Sequence, residues 1–210
     1  MSEYDLHSLI LSCDFRVDDV EQMWKWMNKH RDGLGSIGAH HVVLYRSIWE
    51  PGRVLVTIGI RQARSIRDLL RSPEIFEWFD KSGVQDIPPI FGGEVVEKID
   101  LGEPTPEMHV AGVIVGAIAP VDDVPTLMRK VHDGLGRFAN SGIRKVWVYQ
   151  ALDDGREVMI LQEIEDEVRA RQWISHPDAA AEWMTKAGFG PYPSLFVGKL
   201  AHIMTVDEQV

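Results

Sequence analysis

Apolar and polar positions along the chain follow two periods, and they do so in the same order twice. Apolar runs of strand length cover residues 7–15 and 110–119, and each is followed by apolar positions at helical spacing. Two shorter apolar runs then flank a turn sequence, which is Glu50-Pro51-Gly52 in the first half and Asp153-Asp154-Gly155 in the second. A second helical stretch and a last strand complete each half. The pattern predicts strand, helix, strand, strand, helix, strand, and then the same six elements again.

The two halves also share residues at a nearly fixed offset. Val-Asp-Asp-Val at residues 17–20 recurs at residues 121–124, and Tyr45 aligns with Tyr149 at the same offset. Pro-x-x-Phe-x-Gly likewise ends both halves. Internal similarity at one spacing is the mark of a duplicated structural unit. We therefore predict two repeats, residues 1–105 and residues 106–210.

The first helix of each half is expected to begin after an aspartate and to end at glycines. Asp18 and Asp122 can cap the helix by accepting backbone N–H bonds. Glycine pairs at 33 and 35 and at 134 and 136 then predict the ends. Because these pairs lie about 101 residues apart, we expect a shorter helix in the second half. Gly33-x-Gly35-x-x-Gly38 matches a dinucleotide-binding string, but a helix precedes it and a strand follows it, which is the reverse of that motif.

The order of elements predicts an α+β fold made of two ferredoxin-like β-α-β-β-α-β repeats. In such a unit both helices cover one face of a four-stranded antiparallel sheet, and the other face stays bare. A bare apolar sheet face is normally covered by another surface. We therefore expect the two repeats to pack sheet to sheet as an intramolecular α+β barrel.

A short segment of the second helix suggests a family. Residues 71–79 read Arg-Ser-Pro-Glu-Ile-Phe-Glu-Trp-Phe, and residues 175–183 are a looser copy. This segment resembles the Ser-Pro-x-Phe region of the dimeric α+β barrel superfamily, in particular its antibiotic-biosynthesis-monooxygenase-like proteins. The resemblance implies a small-molecule pocket between sheet and helices in each unit. Members include cofactor-independent oxygenases of aromatic polyketides, haem-degrading enzymes and proteins without known activity, so the fold does not choose among them.

The amino-acid composition limits the kinds of partner that the protein is expected to bind. With 32 acidic and 22 basic residues the chain carries a formal net charge of −10, which disfavours nucleic acid and anionic membranes. The single cysteine, Cys13, rules out an internal disulfide framework and fits a reducing compartment. No targeting segment or apolar span is evident. We expect a cytoplasmic protein that acts as a monomeric pseudo-dimer or as a homodimer.

Tyr45 and Tyr149 are the candidate catalytic residues, because they are polar aromatics found in both halves. A phenol can bind a phenolic substrate or help to deprotonate it, so that the resulting carbanion reacts with oxygen without a cofactor. The competing interpretation is that these rings fill the contact between two sheets. By strand alternation Trp147 shares a face with Tyr149, whereas Arg46 and Gln150 point to the opposite face. These three are candidate ligand-binding residues, and which face meets the helices stays open.

Trp173 and His176, on the second helix of the second half, are further candidates for ligand binding. Related haem-degrading proteins use a helix histidine as the iron ligand, so the resemblance makes haem a minority hypothesis; the alternative is a His-Pro corner at the surface. No metal is expected otherwise, because no His-x-x-x-His or Cys-x-x-Cys spacing occurs. The adjacent His40 and His41 should point to opposite faces of a strand.

Three functional hypotheses follow. The first is a cofactor-independent monooxygenase that acts on a small hydrophobic, aromatic molecule. The second is a non-catalytic protein of the same fold that binds a small hydrophobic ligand. The third is a haem-binding or haem-degrading protein.

Overall fold

A computed structural model describes residues 9–36, 38–61, 88–102, 112–175 and 194–206. These residues form eight strands and four helices: β1 Leu9–Arg16, α1 Val20–Lys29, α2 Arg31–Ser36, β2 Ala39–Ser47, β3 Arg53–Ile60, β4 Ile90–Asp100, β5 Val113–Pro120, α3 Val124–Asn140, β6 Ile143–Ala151, β7 Glu157–Ile164, α4 Glu167–Ser175 and β8 Leu195–Thr205. The predicted second helix of the first half, residues 63–82 with Pro73, lies wholly outside the described residues. So do Pro177 and the helix predicted beyond Ser175.

The chain divides into two compact units. Unit 1 comprises Met1–Gly92 with Leu200–Val210, and unit 2 comprises Gly93–Lys199. The units differ from the predicted repeats in the assignment of the last strands, because most of β4 belongs to unit 2 and the end of β8 belongs to unit 1. The duplication itself stays a prediction from the sequence.

Unit 2 has the strand order of a ferredoxin-like sheet. Its antiparallel strands pair in the order β8, β5, β7, β6, and β4 adds to the free edge of β6. Helices α3 and α4 contact each other through Phe138 and Trp173, whose rings meet edge to face. The predicted α+β, ferredoxin-like fold is confirmed.

Unit 1 contains the corresponding hairpin. Strand β3 lies between β1 and β2 and pairs antiparallel with both, from Leu9 opposite Ile60 to Arg16 opposite Arg53. The backbone N–H of Val206 donates to the carbonyl of His40, which ties the end of β8 to β2. Helix α1 buries Val20, Met23 and Met27. Each such side chain stabilises the unit by about 2 kcal/mol relative to an exposed one.

Each first helix begins one residue later than expected. Asp19 and Asp123, rather than Asp18 and Asp122, are the capping residues; their carboxylates accept bonds from the N–H groups of Gln22 and Thr126. An N-cap side chain bonds to a backbone N–H two or three residues further along, and the second aspartate of each pair makes that bond.

The predicted end of the first helix in the second half is wrong. Helix α3 continues through Gly134 and Gly136 to Asn140, which makes it longer than α1, not shorter. Its buried stripe continues to Phe138, which is fully buried, and burial of this ring outweighs the weak helix propensity of two glycines. The residue that ends the helix is Gly142, whose φ of 82° suits glycine.

Among the described residues, no helix is both long enough and apolar enough to cross a bilayer.

Candidate functional site

A side-chain hydrogen bond identifies the sheet face that meets the helices in unit 2. Trp173 of α4 bonds to Gln162 of β7, so Gln162 points towards the helices. Gln162 is directly opposite Val146, and alternation then places Gln150 on the same face. Tyr149 and Trp147 therefore lie on the face away from the helices. The sheet separates the predicted candidates into two groups.

On the helix side, three buried residues form a cluster that we call the indole site: Gln162, Trp173 and Phe138. The indole N–H of Trp173 donates to Oε1 of Gln162 over 3.0 Å. The ring of Phe138 stands edge-on to that of Trp173, with centroids 5.7 Å apart and planes at 87°. All three side chains are buried. The indole site therefore combines two aromatic rings with the amide of Gln162, whose position is fixed by a hydrogen bond, between the helices and the sheet.

The indole hydrogen bond also fixes which way the Gln162 amide points. Indole can only donate, so it must meet the carbonyl oxygen of the amide and not its nitrogen. Nε2 of Gln162 then lies on the other branch of the side chain, and no described residue accepts a bond from it. Among the described residues, Nε2 of Gln162 is thus a donor of the indole site for which no acceptor is found.

Two predicted ligand-binding residues are held by local contacts. Nε2 of Gln150 donates to the carbonyl of Gly155 over 2.8 Å and braces the β6–β7 turn. Arg46 reaches α1 in unit 1, where Nη2 lies 2.5 Å from Oε1 of Glu21 in an exposed ion pair. Glu21 also accepts from His202, and these two partners hold the pKa of its carboxyl below its usual range. Neither contact depends on a ligand.

The other face of unit 2 carries a second group, which we call the Tyr149 face. It consists of alternating residues on two paired strands, namely Lys145, Trp147 and Tyr149 on β6 with Met159, Leu161 and Glu163 on β7. Tyr149 is buried, and burial raises the pKa of its phenol far above the ordinary value. The phenol therefore stays protonated at neutral pH and can donate a hydrogen bond. Tyr45, its counterpart in unit 1, is half-buried.

Glu163 is the unusual member of the Tyr149 face. Only 6% of its surface is exposed, and burial raises the pKa of its carboxyl, with Asp100 adding to the effect. Lys145 and Arg144 oppose this shift through space. A buried carboxylate with a shifted pKa is typical of functional sites, although ion-pair networks can produce one too.

The two adjacent histidines do not point to opposite faces, as strand alternation predicts. A β-bulge at His40 interrupts the register of β2 with β3, and both imidazoles turn to the same side. Their Nδ1 atoms lie 3.2 Å apart, and both rings lie over Gly59, where a Cβ would come within 2.3 Å of His41. Desolvation lowers the pKa of His40 to about 4, and Arg61 adds to this effect, so His40 is neutral at physiological pH.

Within the described ranges, no group of three or more His, Cys, Asp or Glu side chains is arranged to hold a metal ion. His176, the residue suggested as an iron ligand, lies outside the described residues. The haem hypothesis therefore stays a prediction.

Solved structures share this arrangement of strands and helices over nearly the whole chain. An anthrone oxidase-like protein matches with a TM-score of 0.69 and 14% identity, covering 100% of this chain and 98% of that one. A ferredoxin-fold protein from Listeria monocytogenes related to antibiotic biosynthesis monooxygenases matches with a TM-score of 0.52 and 10% identity, over 96% and 99% of the two chains. The chain has the fold of the dimeric α+β barrel superfamily. No protein-family profile matches the sequence, and no curated protein matches it.

Members with this dimeric α+β barrel fold differ in chemistry. A haem-degrading enzyme from Listeria monocytogenes also matches, with a TM-score of 0.52 and 10% identity, covering 91% of this chain and 98% of that one. Likeness at this level of identity establishes the fold and leaves the activity open. The activity must therefore be argued from the residues of the site.

Two residues of these sites escaped the sequence prediction. Gln162 and Glu163 lie at the end of an apolar strand, where the first half of the chain has Ile58 and Gly59. The sequence does carry a signal here, because two polar residues stand where the other half has an apolar residue and a glycine within a buried strand. Its meaning depends on Trp173 and Lys145, which only the fold brings alongside.

Proposed function

We propose that the chain is a cofactor-independent oxygenase of small aromatic molecules and that it binds its substrate at the indole site. Its likeness to an anthrone oxidase-like protein extends over nearly the full length of both chains and supports a substrate of the anthrone class. Such molecules are planar, apolar and carry a ketone oxygen. They match an aromatic wall that contains one hydrogen-bond donor.

The chemistry requires that the substrate be made electron-rich. Transfer of the C–H proton opposite the ketone to water leaves an anion whose charge rests largely on the ketone oxygen. Oxygen then adds at the deprotonated carbon, and loss of water gives the quinone, so that anthrone and O₂ become anthraquinone and H₂O. Nε2 of Gln162 would donate to the charged oxygen, and Trp173 and Phe138 would hold the rings. Hydrogen bonding to the anion lowers the pKa of the C–H group.

One observation carries this proposal. The buried hydrogen bond between Trp173 and Gln162 lies beside buried apolar residues of the same sheet face, namely Val146, Val148 and Ile160. The first half has Ile58 at the matching position, so an apolar residue suits this place in the fold. A buried polar pair adds little net stability, and the Nε2 donor of Gln162 has no acceptor among the described residues. A bound ligand with an oxygen atom would accept a hydrogen bond from this donor.

Oxygen uptake with a panel of anthrones tests the proposal. Gln162→Glu keeps an oxygen for the Trp173 N–H and replaces the donor Nε2 by a second oxygen. We expect kcat/KM to fall by about 10- to 100-fold, as for loss of a hydrogen bond to a charged group. Gln172→Glu, an identical change at an exposed position of α4, is the matched control and should leave the rate unchanged.

The outcomes separate the remaining hypotheses. Ligand-induced thermal stabilisation without oxygen uptake would replace the oxygenase by a non-catalytic binding protein. A Soret band after titration with haem would favour the haem hypothesis instead. Tyr149 lies on the other face of the sheet from the indole site, so it would not contact a substrate bound there. The catalytic roles of Tyr45 and Tyr149, which require a different substrate position, and the cytoplasmic location stay predictions.

A further inference from the structure

The hydrogen bond from Trp173 decides which end of the Gln162 amide faces away from the indole. A side-chain amide carries an acceptor oxygen on one branch and a donor nitrogen on the other, and half a turn about its last bond exchanges them. Because indole can only donate, its bond of 3.0 Å to Oε1 is lost when the amide turns over. Both side chains are buried, so losing this bond is costly. Trp173 therefore keeps the amide in one orientation.

The indole ring is itself held in place by its surroundings on α4. Trp173 is one of the buried residues of this helix. The ring of Phe138, on α3, stands edge-on to the indole. The start of α4 is fixed by Asp166, whose carboxylate accepts a bond of 2.9 Å from the backbone N–H of Arg169. The indole N–H thus approaches Gln162 from a fixed direction.

The two members of this hydrogen bond occur together in one half of the chain and are both replaced in the other. The first half has Leu69 at the position that matches Trp173, and Ile58 at the position that matches Gln162. Either polar residue without the other would be a buried group without this partner. Their joint presence in the second half indicates that they act as a unit.

We propose that Trp173 determines the ligand specificity of the indole site through the amide of Gln162. With the amide fixed, the site selects planar aromatic molecules whose polar atom accepts a hydrogen bond and rejects those whose polar atom only donates one. The ligand class is an aromatic ketone or the oxyanion formed from it. Trp173 is in this respect a positioning residue, because it acts through Gln162. This inference rests on the binding site of the proposed function and not on its oxygenase reaction.

The selectivity bears on the form in which an anthrone binds. An anthrone interconverts with an enol, whose oxygen carries a proton. Nε2 of Gln162 can donate to the ketone, and it donates more strongly to the anion. The proton of the enol meets no acceptor on this branch of the amide, which makes the enol the least favoured form. By this route Trp173 favours the ketone and the reactive anion over the enol.

Three planar tricyclic probes of nearly equal size test the specificity by fluorescence titration. Fluorenone carries a carbonyl group, carbazole carries an N–H group at the corresponding ring position, and fluorene carries neither. We expect the wild-type protein to bind fluorenone about 10-fold or more tightly than carbazole, with fluorene between them. Trp173→Phe leaves the amide free to turn either end towards the ligand. This variant should bind fluorenone and carbazole within about twofold of each other.

A second variant keeps the test decisive if Trp173→Phe does not fold. Gln162→Glu offers the ligand an oxygen in place of Nε2, so at about pH 8 its preference should turn from fluorenone to carbazole. Two controls should retain the preference for fluorenone. Trp49→Phe is the same change at a residue that is 40% exposed, and Phe138→Leu removes a ring contact but keeps the indole N–H.

Three results would overturn the proposal: a wild-type protein that binds no probe or shows no preference, a preference that survives in a folded Trp173→Phe variant, or one that survives Gln162→Glu. Oxidation of anthrones by a protein without a probe preference would count only against this inference. A preference for fluorenone without any oxygen uptake would count only against the proposed oxygenase reaction.

Discussion

Gln162 and Glu163 are consecutive residues of β7 whose side chains lie on opposite faces of the sheet. Gln162 accepts a hydrogen bond from Trp173 of α4, and Glu163 is opposite Lys145 on the other side. These two consecutive residues thus place one buried polar side chain on each face of the sheet.

The absence of a side chain at Gly59 leaves room for the imidazole rings of His40 and His41. A Cβ there would come within 2.3 Å of His41 and 2.8 Å of His40, so Gly59→Ala must displace both rings. We expect a loss of about 1–3 kcal/mol in the free energy of unfolding, measured in urea. Gly33→Ala is the control, because no atom lies within 4 Å of a Cβ at that position. An equal effect of the two changes would contradict the packing of the rings over Gly59.

Gly142 ends α3 in a conformation that other residues adopt with difficulty. Its φ is 82°, so Gly142→Ala should lower stability by about 1 kcal/mol. Gly136→Ala, inside the same helix with open space around it, should raise stability by about 0.5–1 kcal/mol. Thermal unfolding of the two variants provides the measurement. Destabilisation by Gly136→Ala would mean that α3 ends earlier than the structure has it.

Much of the fold could be predicted because strand and turn signals are local. The β2–β3 and β6–β7 hairpins lie within a few residues of their predicted positions. The end of α3 could not be predicted, because burial of Phe138 depends on Trp173, which is distant in sequence. His40 and His41 share one side of β2 because a bulge interrupts the strand, and alternation assumes that none occurs.

The candidate sites were predictable only in part. Trp173 was selected from the sequence and lies in the indole site, and Tyr149 and Trp147 share a face as alternation requires. The sequence could not tell which face meets the helices, because both faces of these strands are apolar. It also could not tell that Gln150 is used in bracing a turn, since the contact with Gly155 depends on the turn geometry.

Glu163 should make stability depend on pH. Its pKa is raised in the folded protein, so the folded state holds the proton more firmly than the unfolded state. The wild-type protein should therefore lose stability as the pH rises from the unfolded pKa of a glutamate through the folded value. Glu163→Gln lacks this titration, and its advantage over the wild type in urea unfolding should grow over the same range. A difference that does not change with pH would contradict the assignment.

Trp173 should contribute to stability through its N–H as well as through its ring. Trp173→Phe keeps an aromatic contact with Phe138 but leaves Oε1 of Gln162 unpaired in a buried layer. We expect a loss of about 1–3 kcal/mol in the free energy of unfolding. Trp49→Phe is the matched control, since Trp49 is 40% exposed, and it should change stability by less than about 0.5 kcal/mol.

The position of a bound aromatic ketone tests the central claim most directly. A crystal structure of the chain with anthraquinone, the product of the proposed reaction, should place one ketone oxygen about 2.7–3.2 Å from Nε2 of Gln162, with the rings against Trp173. A ligand that lies instead on the Tyr149 face, or that binds against the helices without contact to Gln162, would contradict the claim.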